Sequence, residues 1–119
     1  MIKIYYKPNC ATCITALSLV KHETDEELDL VEYLVETPDE EELKNIVKML
    51  GITVEQLVRK KEPLYKEQYE GKEISDEEWL TILKENPILI ERPIVVLGDK
   101  AIIGRPPETI VEFIKKESK

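Results

Sequence analysis

The sequence predicts an α/β protein in the order βαβ, a helical insert, then ββα. Three observations carry this reading. The β-branched and aromatic run "IKIYY" gives way to a helically spaced segment, "ATCITALSLVKH", and then to a second β-rich run, "DLVEYLV". A middle stretch, about residues 38 to 87, carries helix-capping signatures in succession. The chain closes with "ERPIVVLGDKAIIGRPPETIVEFIKK", two apolar runs about a Gly98-Asp99 turn followed by an amphipathic helix.

Each element has its own signal. "IKIYY" is short and apolar enough for a buried strand, ending at Pro8. In the next segment Ile14, Leu17 and Val20 fall on one helical stripe, with His22 at the C-terminal end that the helix dipole leaves to cations. A strand, a helix and a strand in sequence imply a right-handed parallel crossover. In the insert, Thr37 with Pro38 and Glu40, Thr53 with Gln56, and Ser75 with Glu78 each match a helix start. The runs "PDEEE" and "SDEE" are then acidic first turns rather than catalytic pairs. The last helix opens at Pro106 or Pro107. This order, with a proline opening the third strand and a cysteine at the mouth of the first helix, is that of a thioredoxin-like fold. The length of 119 residues predicts one domain over 1–119, with the helical insert between the second and third strands.

Composition narrows the function classes. A net charge of −8 repels phosphate backbones, and no basic run is interleaved with aromatics, so direct nucleic-acid binding is not expected. No stretch reaches the ~18 apolar residues of a membrane span, and "MIKIYYKPNC" lacks the apolar block of a signal peptide. A cytoplasmic, monomeric protein without membrane contact is expected. Paired cysteines in that compartment are catalytic, redox-sensing or metal-bound more often than structural.

Both cysteines lie in "YYKPNCATCITA". Cys10 falls just before or at the first residue of a helix, where unpaired N–H groups and the dipole favour negative charge. That position and the Cys-x-x-Cys spacing make it a candidate nucleophile. Cys13, one turn on, has two readings: a thiol that resolves a bond formed at Cys10, or a small buried hydrophobe. A zinc site is not expected, because there is no second cysteine pair and His22 has no partner at metal spacing.

Fourteen lysines stand against three arginines, Arg59, Arg92 and Arg105. Where lysine supplies surface charge, a planar guanidinium is suited to bidentate capture of an oxyanion. Arg105, in "GRPPE", precedes the last helix, where a cation opposes the dipole; an anion held between guanidinium and helix end would reconcile the two. Arg92 is biased to extended backbone by Pro93 and opens the "IVVL" strand. Arg59, in "LVRKKE", ends a helical segment, and on its residues alone it reads as a solvated cation.

Three segments together resemble the ArsC/Spx family of thioredoxin-fold proteins, whose prototype is the glutaredoxin-coupled arsenate reductase: "KPNCATC", "GITVEQLVRKKEPLYKE" and "NPILIERPIVVLGDKAIIGRPPETI". The resemblance spans nearly the whole chain. It implies that Cys10 is the nucleophile and that Arg59, Arg92 and Arg105 bind the oxyanion, with Pro93 in support. It also implies arsenate or a similar oxyanion as substrate, no bound cofactor, and glutathione with glutaredoxin, or thioredoxin, as external reductant. Two positions depart from the reductases. Tyr6 replaces a histidine four residues before the nucleophile, leaving Lys7 to supply a cation. Cys13 replaces a hydroxyl residue, which resembles the redox-controlled regulator Spx, a partner of RNA polymerase. A general glutathione-linked thiol reductase is a further alternative.

Overall fold

A computed structural model describes residues 2–117, in two units: residues 2–36 with 92–117, and Thr37–Glu91. In the first unit β1 (Ile2–Tyr6) lies between β2 (Leu28–Glu32) and β3 (Ile94–Leu97), and β4 (Lys100–Ile103) completes a sheet of order β2-β1-β3-β4. β1 runs parallel to β2, with Ile4 opposite Leu30, and antiparallel to β3, with Ile4 opposite Val95. Its central place explains its composition: Ile2, Ile4 and Tyr5 are all buried, so neither face tolerates a run of charges. The parallel crossover is α1 (Ala11–Glu23), and α5 (Thr109–Glu117) packs beside it. Ile2, Ile4, Ala16, Val20, Val95, Ile110 and Ile114 form the core of this unit.

Three expectations for this unit need correction. The buried stripe of α1 is Cys13, Ala16 and Val20, with Leu17 at its edge, while Ile14 is 56% exposed. Position 14 lies about 100° around the helix from Cys13, outside the arc that faces the sheet. β2 ends at Glu32 rather than running through Val35, because the amides of Val35 and Glu36 both donate to the Glu32 carbonyl and turn the chain. α5 begins at Thr109, not at Pro106 or Pro107. Pro107 keeps Pro106 out of helical backbone, and the Thr109 and Ile110 amides instead bond the two proline carbonyls in a turn.

The second unit carries the helical segment. α2 (Glu40–Leu50) is capped by Asp39, whose side chain accepts from the Glu42 amide at 2.8 Å, so the start lies two residues beyond Thr37. Gly51 closes it in left-handed backbone, φ 69°. Thr53 and Gln56 make the reciprocal bonds of a capping box, yet only a 3₁₀ turn, Glu55–Leu57, follows. Val58 then pairs with Ile90 as an isolated antiparallel bridge, which draws the chain into extended backbone. α3 (Pro63–Gln68) starts on its proline, and α4 (Asp76–Glu85) on Ser75, which accepts from the Glu78 amide. Trp79 is buried between Tyr65 and Tyr69, with ring centroids 6.3 and 5.7 Å away. Among the described residues no helix is long and apolar enough to cross a membrane.

Candidate active site

The site is assembled where β1 hands over to α1. Cys10 is the N-cap of α1, in extended backbone (φ −102°, ψ 118°), with its amide donating to the Lys7 carbonyl at 3.1 Å. Its carbonyl accepts the first helical bond, from Ile14 at 3.0 Å. The sulfur is thereby placed at the helix mouth, where the unpaired N–H groups of the first turn and side-chain donors can meet it.

The two thiols are driven apart in acidity. Burial pushes the Cys10 thiol up, but the amide and thiol of Cys13 donate to its sulfur and the Arg92 guanidinium adds a hydrogen bond and a positive charge; the net result is a fall from 9.0 to about 7. Cys13 is fully buried, and burial first, then the neighbouring Cys10, raises its thiol from 9.0 to about 11, against a hydrogen bond from the Lys7 amide. Near neutral pH the pair therefore presents one partly ionised sulfur and one protonated donor held against it.

Arg92 and Arg105 reach Cys10 because they flank one hairpin. Antiparallel pairing of Ile94 with Ile103 brings the residues before β3 and after β4 side by side. The Gly104 amide donates to the Pro93 carbonyl at 2.8 Å, and the Arg105 Nε donates to the Arg92 carbonyl at 2.6 Å. Both arginines precede prolines across cis peptide bonds. Gly104 lets these segments pack closely: a Cβ there would stand 2.5 Å from Ile110 Cδ1 and 3.1 Å from Pro93 Cγ, so any side chain would force Ile110 to shift.

The rest of the Arg105 guanidinium is turned to α1. Nη1 donates to Thr12 Oγ1 at 3.3 Å and Nη2 to Cys10 Sγ at 3.6 Å. Arg105 was expected at the mouth of the last helix; it serves the first helix instead, because both terminal nitrogens of its fork donate there and α5 starts four residues later. Arg92 is 5% exposed. Burial opposes its charge, but the Tyr33 phenol and the Cys10 sulfur outweigh burial and raise its pKa.

Of the residues singled out in the sequence, Cys10, Cys13, Arg92 and Arg105 are brought together within the first unit, with Pro93 buried beside Arg92. Lys7 touches both cysteines through its backbone, not through its ammonium. Tyr6 packs its ring on the sheet core. Arg59 belongs to the second unit, where it follows the Glu55–Leu57 turn rather than ending a helix; its Nε binds Glu62 Oε1 at 3.0 Å. Thr12 and Tyr33 were not singled out. Thr12 carried only the weak signal of lying between the two cysteines, and Tyr33 read as one more residue of a strand. Among the described residues no group of three or more His, Cys, Asp or Glu is placed to hold a metal ion.

The α/β arrangement of one mixed four-stranded sheet with helices is the thioredoxin-like fold expected from the element order. It also describes a solved structure of the arsenate reductase of Vibrio cholerae, which superposes with a TM-score of 0.87 at 38% identity, covering 93% of this chain and 95% of that one. The chain is 40% identical over 115 residues to the uncharacterized protein YfgD of Escherichia coli K12, covering 95% of this chain and 96% of that protein. It is 39% identical over 113 residues to the arsenate reductase of Haemophilus influenzae, covering 93% and 97%. The ArsC family pattern itself matches residues 5–113. A match that starts in the central strand and ends in the last helix takes in the cysteines and all three arginines, and the chain belongs to the ArsC family.

Proposed function

We propose that the protein is a thiol oxidoreductase of arsenate reductase type, with Cys10 as its nucleophile. The observation that supports this best is the pairing of an acidified Cys10 sulfur with the Arg105 fork at 3.6 Å and with the buried Arg92. An oxyanion offered to that sulfur meets planar donors able to take up the charge on its oxygens. The Cys10 thiolate attacks arsenic and displaces one oxygen as water, leaving a sulfur–arsenic bond. The two electrons that take As(V) to As(III) come from two thiols, which leave as a disulfide, so that arsenate plus two thiols gives arsenite, a disulfide and water. The second thiol is glutathione, with glutaredoxin or thioredoxin renewing the enzyme, or Cys13 through an internal disulfide. The family resemblance assigns Arg59 to the oxyanion as well.

A second reading, a redox sensor of Spx type, is favoured by the hydrogen bond between Cys13 and Cys10, which poises the pair for a disulfide. One experiment separates the two. Purified protein with arsenate, and either glutathione and glutaredoxin or thioredoxin, is expected to release arsenite, with Cys10→Ser inactive. Absence of turnover with both donors overturns the reductase reading. Recovery of RNA polymerase subunits on the immobilised chain from oxidised but not reduced lysate would establish the sensor, and recovery from neither would remove it.

A further inference from the structure

We infer that Thr12 is a positioning residue, whose hydroxyl orients the Arg105 guanidinium so that Nη2 faces the Cys10 sulfur. This rests on the reading of Cys10 as the reactive thiolate. Each of the three nitrogens of the Arg105 fork donates to a different acceptor: Nε to the Arg92 carbonyl at 2.6 Å, Nη1 to Thr12 Oγ1 at 3.3 Å, and Nη2 to Cys10 Sγ at 3.6 Å. The first alone leaves a planar group free to swing about the Nε–H···O axis. A second fixed acceptor defines the plane and hence the direction of the third donor. Thr12 can be that acceptor because it lies in the first turn of α1, two residues beyond Cys10, on backbone already held by the Ile14-to-Cys10 bond. It is half-buried, so its hydroxyl is constrained more than that of a solvated threonine.

The role differs from capping. Thr12 lies inside the helix rather than at its N-cap, and its bond crosses 93 residues of sequence to Arg105. Removing the hydroxyl while keeping the shape therefore leaves the helix start intact and frees one edge of the guanidinium.

The test is the pH dependence of Cys10 alkylation by iodoacetamide in the full chain, read by peptide mass so that Cys10 and Cys13 are counted separately. Thr12→Val is expected to move the Cys10 midpoint up by about one pH unit, the scale of a hydrogen bond to a charged group. Thr12→Ser keeps the acceptor and is expected to titrate with the wild type. In an Arg105→Gln background, Thr12→Val is expected to add no further shift. Should the valine variant melt early, Thr12→Ala removes the same acceptor without new bulk. An unchanged midpoint in the valine or alanine variant, a serine variant displaced as far as valine, or a full shift in the Arg105→Gln background overturns the proposal. Arsenate takes no part in this measurement, so failure of arsenate turnover removes the reductase reading alone, whereas a wild-type Cys10 with an ordinary thiol pKa overturns both.

Discussion

At the scale of single residues, the chemistry turns on the different fates of two thiols three positions apart. Cys10 has donors and a cation at its sulfur, while Cys13 has burial and a neighbouring negative charge. Cys13 is thus part of what acidifies Cys10, through both its amide and its thiol. Cys13→Ala keeps the amide and loses the thiol donor, so the Cys10 midpoint in a pH series of alkylation rates is expected to rise above about 7, while Cys13→Ser, which keeps a hydroxyl donor, is expected to fall between alanine and wild type. Cys10 was legible from its helix-mouth position, and Arg92 and Arg105 from the scarcity of arginine in a lysine-rich chain. Thr12 and Tyr33 were not, because a hydroxyl's partner across 93 residues and a buried phenol beside a guanidinium leave no local pattern.

At the scale of elements, caps were readable wherever a side chain and an amide three residues on meet locally. Ser75 with Glu78 is the clean case. Thr37 failed because Asp39, two residues later, is the stronger N-cap and takes the Glu42 amide. Thr53 with Gln56 shows a correct local reading overruled: the box forms, but the Val58–Ile90 bridge ends the helix after one turn. The stripe on α1 was misread because periodicity fixes spacing but not which way the stripe faces. At the β4–α5 junction a single change has a direct steric cost. Gly104→Ala would press a methyl against Ile110, itself fully buried, and against the rigid Pro93 ring. Overpacking of this kind costs about 1–3 kcal/mol, so a lower urea midpoint is expected, and Cys10 alkylation at neutral pH is expected to slow as Arg105 is displaced.

At the scale of the whole molecule, the two thiols tie stability to pH with opposite signs. Between about pH 7 and 9.0 the folded chain holds fewer protons on Cys10 than the unfolded chain, so the Cys10 contribution is present above 9.0 and is lost as pH falls through about 7. Between 9.0 and about 11 the folded chain keeps the Cys13 proton that the unfolded chain has released, so that contribution is lost as pH rises. The difference in urea midpoint between wild type and a Cys10→Ala/Cys13→Ala variant is therefore expected to peak near pH 9 and to decline on both sides; a difference that is flat with pH would contradict these shifts. The overall order of strands and helices was legible because alternation, caps and turn residues are local, and the chain's crossover has one allowed hand. The hairpin that carries both site arginines has a consequence for handling the protein. Gly98 and Asp99 are exposed at its tip, four residues of strand from either arginine segment, about 13 Å at the usual rise. The pairing of Ile94 with Ile103 holds the base whatever happens at the far end, so a fluorophore or affinity tag inserted at the tip would ride on the chain without moving either guanidinium.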